Sequence, residues 1–186
     1  MKTHYQFLKQ KSNYRDILAY QKAECIFDIT YYFAHTYLEY GDRTMDQMIQ
    51  AARSGKQNIA EGSATVITSS ETELELINVA RTNFQELQAY YENYLREHGK
   101  EIWAINSEKA AQTRRVCTNH NDTGFYRERI AVRSGETVAN IAITMIRQED
   151  MLLRKLYDRL QKDFVNVFGI REKAAKARLE HGADRR

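Results

Sequence analysis

The sequence predicts an all-α protein: an antiparallel (up-down) four-helix bundle with a partly helical insertion and a C-terminal helical extension. The 186 residues include no proline, where an average composition would supply roughly nine. Proline interrupts helices and is common in loops. Four long stretches repeat apolar residues at steps of three and four, the period of a helix. No stretch shows the two-residue alternation of a strand, and long helices with short loops favour a bundle.

The first two helices are predicted from their apolar stripes and flanking polar residues. Residues 14–39 carry the first stripe, and Gly41 is a suitable C-terminal stop. Thr44 and Gln47 have the spacing of a capping box at the start of the second helix. Its stripe extends as far as Val66.

The third helix begins with a second capping-box pattern, Ser70 with Glu73, and ends at His98 and Gly99.

The insertion, about residues 100–134, contains a short helix over 108–116 and a loop at "CTNHNDTG". Ser134 caps the last long helix, which ends at Gly169. The domain prediction is therefore a bundle over residues 1–168 and a basic C-terminal extension over 169–186.

Cysteine content and hydropathy predict a cytoplasmic protein without a membrane segment. The two cysteines, Cys25 and Cys117, are too few for a disulfide framework, which points to a reducing compartment. No apolar run approaches about 18 residues, and the N-terminus lacks the apolar core of a signal peptide.

The net charge of +3 is unevenly distributed along the chain. Residues 42–98 hold five Lys or Arg against nine Asp or Glu. Residues 99–133 hold seven against four, and residues 147–186 hold eleven against seven. A surface that binds a polyanion is therefore expected in the last two segments.

No catalytic residue, metal site or cofactor is predicted. The chain has no P-loop, no Gly-x-Gly-x-x-Gly and no Gly-x-Ser-x-Gly. His35 and Glu39 stand alone near the end of a helix, and Cys117 with His120 lacks the second pair that a zinc site needs.

Three segments of the chain carry distinctive motifs. The first is an aromatic-Gln-Lys-Ala motif, the second an Arg followed by small residues and Asn-Ile-Ala-Glu-Gly, and the third lies on the third helix. The residues of these motifs are Tyr20, Gln21, Lys22, Ala23, Arg53, Ser54, Asn58, Ile59, Ala60, Glu61, Gly62, Ala80, Phe84, Glu86 and Leu87. Together they resemble a known family, the bacterial four-helix bundle proteins whose founding members are encoded by intervening sequences within 23S ribosomal RNA genes. The resemblance covers about residues 14–98.

The resemblance implies a four-helix bundle that assembles into a homo-oligomeric ring, commonly a pentamer, and it implies no catalytic activity. The founding members have no settled role. A related protein, the accessory protein of diversity-generating retroelements, binds a reverse transcriptase and nucleic acid. The insertion and the extension are similar to those of the subgroup that carries a suffix domain.

Two glycines in the second helix indicate close packing. Gly55 and Gly62 are seven residues apart and so share one helix face. A face without side chains allows a neighbouring helix to approach closely.

Polar residues beside these glycines predict a buried polar latch that fixes the register between helices. In it, Glu61 pairs with Arg81 or Arg53, and Asn58 bonds a neighbouring group. The alternative is a ligand or partner site at the same place.

The insertion holds the best candidates for nucleic-acid contact, because arginines near aromatic side chains serve phosphate binding and base stacking. An ordinary solvated face or an oligomer contact is the alternative. These arginines, which lie near Phe125 and Tyr126, are Arg114, Arg115, Arg127, Arg129 and Arg133.

The sequence therefore predicts a non-catalytic oligomeric assembly or adaptor protein that contacts nucleic acid or a nucleic-acid-processing enzyme. One alternative is a purely structural oligomer with protein partners only. Another is a small-molecule-binding or enzymatic bundle.

Overall fold

The computed structural model describes residues 13–63 and 70–183, with side chains described up to residue 166. All regular structure in these ranges is helical, which confirms the all-α prediction. A 3-10 turn precedes six α-helices. The turn is Tyr14–Asp16, and the helices are α1 Leu18–Tyr37, α2 Arg43–Gly62, α3 Ser70–Glu97, α4 Glu108–Asn119, α5 Thr123–Ile130 and α6 Gly135–Ala183. Val66, on the predicted stripe of the second helix, and residues 184–186 of the predicted extension lie outside the described residues.

The first helix begins later than the sequence predicts, and the second begins earlier, because its cap is Asp42 and not Thr44. Ile17 has an extended backbone, with φ −78° and ψ 125°, and this separates the 3-10 turn from α1. The cap of α2 is Asp42, whose Oδ1 accepts the backbone N–H of Thr44 at 2.8 Å. Gly41, with φ +88°, adopts the left-handed conformation that turns the chain between the two helices.

Four long helices enclose one core. α1 packs against α2 and α6, and α3 packs against the same two helices. Apolar side chains from all four are fully buried in the space between them, where their removal from water stabilises the fold. Examples are Ile26, Ile29, Phe33, Met48, Ile59, Phe84, Leu87, Tyr91 and Ile143.

The insertion adds two helices to this core, one more than predicted. α4 packs against α6, and α5 packs against α1. The sequence "CTNHNDTG" is not one loop, because Cys117 ends up inside α4 and only residues 120–122 connect the two helices. Asp122 starts α5 by accepting the backbone N–H of Phe125 at 2.8 Å.

Asn140 of α6 attaches the start of the insertion to the bundle. Its Oδ1 accepts the backbone N–H of Trp103 at 2.8 Å. Its Nδ2 donates to the backbone carbonyls of Glu101 at 2.8 Å and Glu136 at 2.9 Å. The side chain is 2% exposed, so these bonds are sheltered from water.

Asn140→Ala is expected to lower the free energy of unfolding by about 2 kcal/mol, because it removes three part-buried hydrogen bonds made by one buried side chain. Urea unfolding measures this change. Asn93→Ala is the matched control, since the exposed Asn93 only accepts a bond from Arg96. Equal losses of stability in the two variants would show that the hydrogen bonds of Asn140 contribute no more to the free energy of unfolding than an exposed bond does.

α6 does not end at Gly169 but continues through it to Ala183. One glycine costs a helix about 1 kcal/mol relative to alanine, and the sequence that follows it is rich in the strong helix formers Ala, Lys, Arg and Glu. The division of the chain after residue 168 stays a prediction. Within the described residues, no helix combines the length and apolar character that crossing a membrane requires.

Candidate functional site

The two glycines of α2 lie against α3. A Cβ on Gly55 would be 2.7 Å from Cζ of Phe84, closer than real Cβ contacts come. A Cβ on Gly62 would be 3.2 Å from Cδ1 of Ile77 and 3.2 Å from Cβ of Leu76. Gly55 is therefore a position where only glycine fits the observed backbone, and Gly62 is a tight but less demanding one.

The predicted pairing of Glu61 with Arg81 or Arg53 is wrong. Arg81 points from α3 to α6, where its Nε donates to Oδ1 of Asp150 at 3.0 Å. Glu61 is exposed near the end of α2 and accepts a bond from Nε2 of Gln57 at 2.8 Å. This ion pair thus joins α3 to α6 and not to α2.

The other two latch residues lie apart from this pair. Arg53 is exposed and lines a surface pocket with Tyr31 and His35 of α1. Asn58 is half-buried on α2.

The five candidate arginines are distributed over three places. Arg127 is paired with Asp28 of α1, with Nη2 2.7 Å and Nε 3.1 Å from the same carboxylate oxygen. This ion pair ties α5 to α1 and balances the charge of Arg127. Arg114 and Arg115 line a pocket between α4 and α6, which we call the α4–α6 pocket.

Arg129 and Arg133 line a third site, which we call the aromatic–basic pocket. It has a volume of about 360 Å³ and lies between α4, α5 and the start of α6. Three cations line it, and no carboxylate is among its lining residues, although Lys109 pairs with the exposed Glu101 at 3.7 Å. Its lining residues are Trp103, Lys109, Gln112, Thr113, Val116, Cys117, Phe125, Tyr126, Arg129, Ile130, Arg133, Thr137 and Ile141.

The aromatic side chains of this pocket differ in their availability. The ring of Phe125 stacks on His120, with centroids 3.6 Å apart and planes at 8°, and the guanidinium carbon of Arg129 lies 3.7 Å from its centroid. Trp103 is half-buried, with Nζ of Lys109 at 5.9 Å from its ring. Trp103 is therefore the aromatic side chain best placed to receive an incoming base.

Two buried charged residues were missed by the sequence reasoning. Lys22 of α1 is 3% exposed, and its Nζ donates to the carbonyl of Cys117 at 2.6 Å. Glu149 of α6 is fully buried, and neither carboxylate oxygen has a hydrogen-bond partner among the described residues. Burial lowers the pKa of Lys22 and raises the pKa of Glu149 well above its ordinary range.

A spacing rule could have found both residues. Lys22 lies three residues after Ala19 and four before Ile26, and Glu149 lies three after Ile146 and four before Leu153. All four flanking residues are buried. A charge at a core position of an apolar stripe is uncommon and indicates a special environment.

Thiol chemistry is not favoured beside these charges. Cys25 and Cys117 are buried and unpaired, and burial raises the pKa of the Cys25 thiol to about 12. In the part of the chain that the structure describes, no three His, Cys, Asp or Glu side chains form a group that could hold a metal ion.

Comparisons with protein-family models, with curated proteins and with solved structures gave no match to this chain. The resemblance described above therefore stays a prediction from sequence motifs.

Proposed function

We propose that this chain is a non-catalytic helical adaptor that contacts single-stranded nucleic acid through the aromatic–basic pocket. The observation that carries the proposal is the combination of Trp103 with Lys109, Arg129 and Arg133 around one pocket that no carboxylate lines. Cations contact the phosphates of a single strand, and an aromatic ring stacks on its bases. Such contacts tolerate different sequences, because every base has a π-face.

The scaffold of the proposed adaptor is an antiparallel four-helix bundle of α1, α2, α3 and α6. The packing of α1 and α3 on both α2 and α6 supports a closed arrangement of four. Only residues 38–42 connect α1 to α2, and a short connection favours antiparallel neighbours. The insertion then carries the binding pocket on the outside of the bundle.

The double variant Arg129→Gln with Arg133→Gln is expected to weaken the affinity for a labelled oligothymidylate by about tenfold. Because two phosphate contacts are lost, the negative slope of log affinity against log salt concentration should become less steep by about 1.4. Fluorescence anisotropy between about 50 and about 200 mM salt measures both values. Stacking of a base should also quench the fluorescence of Trp103, the single tryptophan of the chain.

The matched control is Arg43→Gln with Arg96→Gln, which removes the same charge from exposed positions on α2 and α3. If the control weakens binding as much as the pocket variant does, net charge and not the pocket explains the affinity. No binding and no quenching at the lowest salt would contradict the nucleic-acid proposal. The adaptor would then recognise a protein, such as a nucleic-acid-processing enzyme.

We also propose that the chain forms a homo-oligomer, with the pentamer that the family resemblance implies as the expected size. Aromatic residues on the outer face of α1 support this. Tyr31 is 50% exposed and contacts the ring of His35 with centroids 4.1 Å apart, and Phe27 continues the same row. Light scattering after size exclusion, at several protein concentrations, tests this, and a stable monomer would contradict it.

A further inference from the structure

We propose that the α4–α6 pocket binds a small amphipathic anion, an apolar molecule with a terminal phosphate or carboxylate, and that Lys22 binds the anionic group at the inner end. This site is separate from the aromatic–basic pocket. It has a volume of about 670 Å³, enough for a small organic ligand.

The charges of the pocket favour an anion. Lys22, Arg114, Arg115 and Lys155 all line it, and no Asp or Glu does. Arg115 and Lys155 are exposed at the rim, whereas Lys22 is buried. A ligand that enters between α4 and α6 therefore meets exposed cations at the rim and a buried amino group beneath them.

Lys22 has donors left to offer to a ligand. An ammonium carries three N–H donors, and the structure gives Lys22 one hydrogen bond, to the carbonyl of Cys117. Glu149 attracts Lys22 electrostatically, but burial favours the neutral form of that carboxyl. A buried ammonium without a full counter-charge is costly, and an anionic ligand would supply that counter-charge.

The remaining walls favour an apolar body with a few hydrogen-bonding groups. Leu18 and Met151 line the pocket although they are 44% and 59% exposed, and Leu152 lies beside them. The side-chain amide of Gln148 donates to Oγ1 of Thr118 and to the carbonyl of Arg114, and this leaves its Oε1 buried without a partner. A hydroxyl or amine of the ligand would reach that oxygen only if the Gln148 side chain turned, because the oxygen is closed to solvent.

Calorimetric titration with four probes tests the proposal on the full chain. Octyl phosphate and octanoate combine both features, whereas octanol lacks the charge and inorganic phosphate lacks the apolar body. Octyl phosphate, octanoate or both are expected to bind at least about tenfold more tightly than octanol and inorganic phosphate. The preference between the two amphipathic probes identifies the anionic group. Equal binding of octanol or of inorganic phosphate would overturn the proposal.

Lys22→Met is expected to weaken binding of the preferred anion at least about tenfold and to leave the weak binding of octanol unchanged. Methionine suits a buried position of this length, so the variant should fold. Arg115→Gln at the rim is a second variant, with a smaller expected loss. Unchanged anion binding in Lys22→Met would overturn the proposal, whatever the result for Arg115→Gln.

Competition separates this pocket from nucleic-acid contact. Lys22→Met should leave oligothymidylate binding unchanged, and the Arg129 and Arg133 variant should leave octyl phosphate binding unchanged. If oligothymidylate displaces octyl phosphate, the cations of the α4–α6 pocket bind a nucleic-acid backbone, and the small-anion proposal is wrong.

Discussion

Gly55→Leu lowers the free energy of unfolding by about 3 kcal/mol or more, the largest loss that we expect from one substitution on α2. A Cβ at this position would lie 2.7 Å from Cζ and 2.8 Å from Cε2 of Phe84. That ring is 1% exposed and packed in the core, so it cannot turn away without displacing other side chains. Urea unfolding followed by circular dichroism measures the loss.

Two further variants separate close packing from a general effect of glycine replacement. Gly62→Ala should cost less than Gly55→Ala. The contact at 3.2 Å with the end of Ile77 can relax and alanine gains up to about 1 kcal/mol of helix propensity, although Cβ of Leu76 at 3.2 Å must also shift. Adding Phe84→Leu to Gly55→Ala should restore part of the stability that Gly55→Ala loses, because the smaller side chain makes room. Independent, additive effects would contradict a direct clash.

Glu149→Gln raises the free energy of unfolding at pH 8 by about 2 kcal/mol. Glutamine is nearly isosteric with glutamate and does not ionise. The Glu149 carboxyl, in contrast, is ionised in the unfolded chain at pH 8 and must take up a proton when it is buried, which costs free energy. The facing charged groups are Lys22 on α1, which lowers the pKa of Glu149, and Asp150 on α6, which raises it. Burial is the largest influence and keeps the pKa high.

The direction of the pH dependence follows from this raised pKa. Below about pH 4 the carboxyl is neutral in both the folded and the unfolded chain, so its contribution to stability is fully present. As the pH rises, the unfolded chain loses this proton first, and stability falls until the pH passes the pKa of the folded state. The advantage of Glu149→Gln should therefore be small near pH 4 and large at pH 8.

Glu128→Gln is the control for this experiment, because Glu128 is exposed on α5. Its effect should be small and nearly constant between pH 4 and pH 8. If Glu149→Gln destabilises the protein at pH 8, the buried carboxylate is ionised and paired with Lys22, and our interpretation of the core charges is wrong.

The helices of the core could be predicted from the sequence because their signal is local. Apolar steps of three and four located α1, α2, α3 and α6, and Gly99, with φ +62°, terminates α3 as expected. α5 was missed because Asp122, Thr123 and Gly124 are turn formers that also start helices. Gly169 does not end α6 as predicted, because the strong helix formers that follow it outweigh the cost of one glycine.

Side-chain partners could not be predicted, since they depend on how each helix is rotated about its axis. Arg81 of α3 was predicted to pair with Glu61 of α2, but it forms an ion pair with Asp150 of α6. The arginines of the insertion were treated as one cluster, yet Arg127 neutralises Asp28 while Arg129 lines a pocket. The sequence shows that this segment is rich in arginine. Which surface each arginine reaches depends on how α4 and α5 pack against the bundle.

The length of α6 has a mechanical consequence. Its 49 residues span about 74 Å, whereas the 28 residues of α3 span about 42 Å. At least about 30 Å of α6 therefore has no α3 beside it. For a partner that binds this part of the helix, the helix geometry sets both its distance and its rotational phase from the pockets. Inserting one residue between the pockets and such a partner would turn the partner by about 100° while moving it by only about 1.5 Å.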